Sequence, residues 1–161
     1  MNDFETQTET SEGQIILCGS LSYYGHIKEV EILLKGKGVR CIAPNTPESN
    51  LDITLEQISE SRRIEAFRHL LRIKNRNTKG ILVINPEKHG KKDYIGPSTF
   101  AEICVAFAHS KKILILYDFP TAFDQELTEW KAIPFLGDIR HCIDVARQLV
   151  KVCSSPQLNL F

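Results

Sequence analysis

The chain has 161 residues, 18.3 kDa, with 20 basic and 20 acidic side chains, a formal net charge of zero and a pI near 7.0. That length holds one domain with a sizeable core, and 42% hydrophobic against 25% charged residues excludes disorder as a description of the whole chain. The charge balance argues against a partner that demands a basic excess, such as bulk nucleic acid or an acidic membrane surface.

Met1 to Glu12 is polar and acidic, without the basic start and apolar run of a secretory signal, and residues 1–13 read as a disordered tail. Gln14 to Cys18 is a short apolar run ending at Gly19-Ser20, a buried strand followed by a tight loop. His26 to Lys35 places Ile27, Val30, Leu33 and Leu34 at helical spacing, and Gly36 and Gly38 close it. Val39 to Ala43 reads as a second strand, broken by Pro44-Asn45-Thr46-Pro47. Thr54 to Arg76 reads as a long amphipathic helix with Ile64, Phe67 and Leu71 as its buried stripe.

Ile81 to Ile84 is wholly apolar, as a central strand buried on both faces must be. A polar loop, Asn85 to Gly96, leads to a helix opened by Pro97, with Phe100, Ile103 and Phe107 toward the core. Ile113 to Tyr117 and Ala132 to Leu136 supply two further strands, and Asp138 to about Val152 a last helix. No apolar run approaches the roughly 18–20 residues that span a bilayer. Short apolar strands alternating with helices predict one doubly wound α/β domain over residues 14–152, with a mostly parallel sheet of about five strands, flavodoxin- or Rossmann-like.

Cys18, Cys41, Cys104, Cys142 and Cys153 are odd in number, far apart and contain no C-x-x-C pair. Their spacing argues against a disulfide framework and against a metal site, and predicts a reducing compartment, the cytoplasm, with no cofactor. Cys18, Cys41 and Cys104 sit inside apolar runs, where a thiol behaves as a small buried hydrophobe.

In a parallel sheet, ligands bind beyond the carboxyl ends of the strands, which singles out the loops after the first and central strands. The first loop, C-G-S-L-S-Y-Y-G, offers Gly19 for close backbone approach and Ser20 and Ser22 at a helix start. The same residues also make an ordinary glycine turn with a serine cap. The second loop carries Lys88, His89, Lys91 and Lys92 on a flexible basic arm, then Tyr94, Gly96, Ser98 and Thr99. Glu102 lies one turn beyond Ser98 and off the apolar stripe. Near a helix N-terminus its ionised form is favoured, which suits a nucleophile; a glutamate there is equally a routine helix stabiliser.

The stretch I-L-V-I-N-P-E-K-H-G-K-K-D-Y-I-G-P-S-T-F-A-E, continued through K-K-I-L-I-L, resembles the signature of the nucleoside 2-deoxyribosyltransferase-like family. C-G-S-L-S-Y-Y resembles that family's Gly-Ser loop and A-I-P-F-L-G-D its closing strand, so the resemblance runs from about Ile15 to about Asp138. It implies cleavage or transfer at the N-glycosidic bond of a nucleoside or its 5′-monophosphate, through a covalent glycosyl-enzyme on Glu102. By the same resemblance Gly19, Ser20, Tyr23, Asn85, Tyr94, Gly96 and Ser98 form the substrate-binding loops. The protein is then expected to be a homo-oligomer whose neighbouring subunits help complete each site. The chain departs from the pattern at Lys79, where relatives carry Asp, and at Cys104-Val105-Ala106 after the glutamate.

Asp93, His89 and Asp118 are the candidates to protonate the leaving base, Asp93 foremost, and the basic arm points toward a phosphorylated substrate. Two other functions stay open, a nucleotide-binding module without turnover and an NAD-cleaving enzyme. Residues 153–161 read as a linker and peptide. Gln157-Leu158-Asn159-Leu160-Phe161 resembles the pentapeptide by which bacterial proteins dock on the sliding clamp, with Gln157, Leu158, Leu160 and Phe161 as the contacts. Fold-back of the same residues on the domain is the alternative.

Overall fold

The computed structural model describes residues 12–46 and 54–151. Most of the expected N-terminal tail and the whole clamp-docking peptide therefore lie outside the described residues. Five strands, β1 (Gln14–Gly19), β2 (Cys41–Ile42), β3 (Thr78–Ile84), β4 (Lys112–Ile115) and β5 (Ile133–Pro134), form one parallel sheet in the order β2-β1-β3-β4-β5. This is the flavodoxin-like order, and the expected α/β class is the observed one. No helix among the described residues is long and apolar enough to cross a membrane.

Alternation along the strands sends successive side chains to opposite faces. Ile15 and Leu17 of β1, with Leu82 and Ile84 of β3, pack against α1 (Tyr24–Gly36) and α5 (Ile139–Lys151). Ile16 and Cys18, with Ile81 and Val83, face α2 (Leu55–Lys74), α3 (Pro97–Ala108) and α4 (Asp124–Glu129). Cys18 is thus the last residue of β1 on the α2/α3 face. Gly19 follows because a Cβ there would lie 2.7 Å from the Ile84 carbonyl oxygen.

Local chemistry sets the helix ends. Thr54 caps α2 through a reciprocal pair with Gln57: its hydroxyl accepts from Gln57 N–H and the Gln57 side chain accepts from Thr54 N–H. Asp138 accepts from His141 N–H at the start of α5. At the end of α1, Gly38 at φ +77° and Val39 donate back to Lys35 and Leu34.

Three expectations are corrected. The buried face of α2 holds His69 and Ile73, while Phe67 is 61% and Leu71 47% exposed. A stripe read from apolar residues alone misses a neutral imidazole that packs as a core side chain. Phe107 is half-exposed and stacks on Trp130 at 4.5 Å, at the rim of a Phe100–Phe123–Trp130 cluster. The basic arm is an ordered hairpin: Lys88 and Lys91 exchange two backbone bonds of 2.9 Å, with His89 and Gly90 at positive φ at its tip. Positive φ at both central residues is what a type I′ turn requires.

Candidate active site

A cavity of about 430 Å³ opens at the carboxyl edge of the sheet, between the ends of β1 and β3. The sheet order reverses there, so the loops after these strands diverge and leave a crevice. Gly19 and Ser20 line it from β1, Lys88 and Tyr94 from the loop after β3. The first turn of α3 and Glu102 form one wall. Arg62, Glu65, Ala66 and His69 form the other, spaced along α2 so that one helix face presents them all.

The two loops are tied together. Lys88 Nζ donates to Ser20 Oγ at 2.9 Å and lies 5.1 Å from the centre of the Tyr94 ring. The Tyr23 hydroxyl donates to the Glu87 carbonyl at 2.6 Å. Gly96 caps α3 with no side-chain hydrogen bond, and Pro97 takes the first helical position, so the cap residue leaves the first-turn N–H groups of Ser98 and Thr99 without a side-chain acceptor. Orphan donors of this kind favour an anion. On the α2 wall Glu65 accepts from Arg68 and Asn45, and the Arg68 guanidinium holds its carboxyl below the usual range.

At the base of the cavity three chemically active groups converge from three elements. His69 Nε2 lies 3.7 Å from Glu102 Oε1 and 3.7 Å from Cys18 Sγ. Cys18 is fully buried, His69 nearly so, and the Glu102 side chain is 18% exposed. Glu102 Oε2 is buried without a hydrogen-bond partner among the described residues. His69 Nδ1 also lacks one with good geometry, although the nearby Leu17 carbonyl favours a proton on the ring.

Burial dominates the protonation of all three groups. It pushes the Glu102 carboxyl up to about 7, against a smaller opposing effect of the Cys18 hydrogen bond. It pulls His69 down to about 4, helped by the Arg72 guanidinium and opposed by the Leu17 carbonyl and Glu65. The Cys18 thiol is driven well above its ordinary value by burial and by Glu102. The expectation that the α3 dipole keeps Glu102 ionised is therefore overturned. Glu102 lies in the second turn of α3, whereas the dipole acts within the first turn and contributes only about 0.3–1 kcal/mol. Desolvation outweighs it.

Of the other residues expected at the site, Gly19, Ser20, Tyr94, Gly96 and Ser98 line the cavity with Glu102. Tyr23 does not; it staples the two loops from outside. Asn85 is fully buried and spans two strand ends: its amide donates to the Asp118 carbonyl and its oxygen accepts from Tyr117 N–H. Asp93 accepts from Asp118 N–H, and neither it, His89 nor Asp118 lines the cavity. Among the four basic residues of the hairpin segment only Lys88 reaches the cavity. Lys79 sits at the amino end of β3, about 16 Å of extended strand from Ile84, on the edge of the sheet opposite the cavity.

His69, Cys18, Arg62 and Glu65 were not foreseen as site residues. The signal for the α2 set was present as polar residues at helical spacing on a face that carries no apolar stripe.

No protein-family model matches the sequence, and no curated protein matches it. Among solved structures, that of a Clostridium botulinum CMP N-glycosidase, BcmB, is similar, with 13% identity and a TM-score of 0.47 over 84% of this chain and 98% of that chain.

Proposed function

We propose that this cavity cleaves, or transfers across, the N-glycosidic bond of a nucleoside or nucleoside 5′-monophosphate, with Glu102 as the nucleophile. The observation that carries this reading is a carboxyl at the base of a crevice of nucleotide size, its pKa raised to about 7 and one oxygen unpartnered among the described residues. Attack of its ionised oxygen on the anomeric carbon forms a C–O bond as the C–N bond breaks. The base leaves with the bonding electrons and takes a proton from solvent. Water, or a second base, then opens the glycosyl ester and returns the carboxylate. A desolvated carboxylate also stabilises positive charge developing on the sugar.

Lys88, Arg62, the Ser20 hydroxyl and the first turn of α3 supply the complement to a 5′-phosphate. One observation favours a second reading, binding without turnover: none of Asp93, His89 and Asp118 lines the cavity, so the leaving base has no dedicated proton donor among them. Recruitment to a sliding clamp through Gln157, Leu158, Leu160 and Phe161 remains a proposal from sequence, as does assembly into a homo-oligomer.

The test is incubation of the full chain with ribo- and deoxynucleosides, their 5′-monophosphates and NAD, with chromatographic detection of free base. Release by the native protein and its loss in Glu102→Gln support the reading. Equal release by both proteins removes Glu102 as nucleophile. Saturable binding without release from any compound leaves the binding module.

A further inference from the structure

We propose that Cys18, His69 and Glu102 form a binding site for a borderline-soft divalent ion, zinc being the best fit. The donor atoms Sγ, Nε2 and Oε1 all lie within 4.8 Å of one another, with His69 Nε2 at 3.7 Å from each of the other two. A tetrahedral zinc ion has bonds of about 2.3 Å to sulfur and about 2.0–2.2 Å to nitrogen and oxygen, which sets its ligand atoms about 3.4–3.7 Å apart. The two pairs that share His69 Nε2 are already at that spacing, and Cys18 Sγ and Glu102 Oε1 lie within 4.8 Å of each other.

Three further features fit an ion. The ligands come from β1, α2 and α3, so packing of the sheet against two helices positions them, not a flexible loop. Charge also balances, because one thiolate and one carboxylate neutralise a divalent cation and leave the buried centre without net charge. The neutral imidazole supplies its lone pair. Finally, Glu102 Oε2 is a buried acceptor with no hydrogen-bond partner among the described residues, an arrangement that a second, longer contact to a cation relieves. His69 and Glu102 line the cavity while Cys18 lies beneath them, so the fourth coordination position faces the cavity. Three protein ligands with one open position is the pattern of a reactive zinc site rather than a closed structural one.

Binding replaces the thiol proton of Cys18 and, in the protonated fraction, the carboxyl proton of Glu102; both go to solvent as the metal–sulfur and metal–oxygen bonds form. One consequence rests on the glycosidic reading above: an ion held by Oε1 withdraws Glu102 from attack on the sugar, so zinc inhibits. The site itself does not depend on that reading.

The experiment strips the full chain with a chelator, removes the chelator and titrates it with cobalt(II). Expected are one ion per chain, the visible absorption of tetrahedral cobalt, a thiolate-to-cobalt charge-transfer band, and displacement of both by zinc. Cys18→Ser abolishes the charge-transfer band and weakens binding at least tenfold. His69→Gln weakens it at least tenfold while keeping the band at high cobalt, and it reports on the same site if the buried Cys18 variant fails to fold. Cys104→Ser changes neither. Absence of the band in the native chain, or its survival in folded Cys18→Ser, overturns the site. Base release by the stripped protein is scored separately. Cobalt binding without release upholds the metal site and removes the glycosidic reading, and release without cobalt binding does the reverse.

Discussion

His69 Nε2 and Glu102 Oε1 stand 3.7 Å apart, and burial favours the uncharged form of each. With ordinary values of 6.5 and 4.5, the unfolded pair holds one proton between those limits, on the histidine. With folded values of about 4 and about 7, the pair again holds one proton across that interval, now on the glutamate. Folding transfers a proton from ring to carboxyl without changing the number bound. The other charged or titratable groups around the pair are Cys18 on β1 and Arg72 and Glu65 on α2.

This cancellation is exposed by single substitutions in chelator-treated protein. In Glu102→Gln the depressed His69 remains, the unfolded chain binds more protons below pH 6.5, and stability falls as pH drops from 6.5 toward 4. In His69→Gln the raised Glu102 remains, the folded chain binds more protons above pH 4.5, and stability falls as pH rises from 4.5 toward 7. Each slope amounts to at most on the order of 3 kcal/mol relative to the native chain. Urea unfolding of the three proteins between pH 4 and 8 is the measurement, and parallel profiles would contradict the pair.

Base release by the native chain is expected to rise with pH through about 7, because the nucleophile is the ionised carboxyl and burial sets where it ionises. Glu102→Gln should lower release by about a thousandfold or more. A rate that falls across the same interval would assign Glu102 the part of a proton donor instead.

Lys88→Ala removes the cavity-lining ammonium that bonds Ser20. For a 5′-monophosphate the KM should rise about tenfold, equivalent to ~1.4 kcal/mol, while the matching nucleoside is nearly unaffected. An equal loss for both substrates would make Lys88 a loop brace and not a phosphate ligand.

Asn85→Ala removes the buried amide that bonds the Asp118 carbonyl and the Tyr117 N–H at the part-buried strand ends. It should cost about 1–3 kcal/mol in chemical denaturation. If stability is unchanged and only KM responds, Asn85 belongs to the ligand and not to the strand ends.

The fold was legible because apolar runs of strand length and their alternation with amphipathic segments are local properties of the chain. The β1 and β3 loops were legible for the same reason: Gly19 and the Gly96-Pro97 helix start are short motifs with local causes. His69 and Cys18 were not, since their importance arises from pairing β1 with α2 and α3 across distant parts of the sequence. No spacing rule reaches that far. The state of Glu102 was misjudged because helix position is visible in sequence, whereas the desolvation that outweighs it depends on what packs above. Asp93 and Asn85 carry polar groups that the backbone at the strand ends consumes, and that use becomes visible only once the loops are in place.

The two bonds that join the β1 and β3 loops, Lys88 to Ser20 and Tyr23 to the Glu87 carbonyl, bear on the thermodynamics of ligand capture. They join the two loops before any ligand arrives, so the conformational entropy of bringing those loops together is lost during folding and not at the encounter. Little ordering of the loops is left to oppose binding, and the heat-capacity change on association should reflect the apolar surface that the ligand itself covers, with no added component from loop folding.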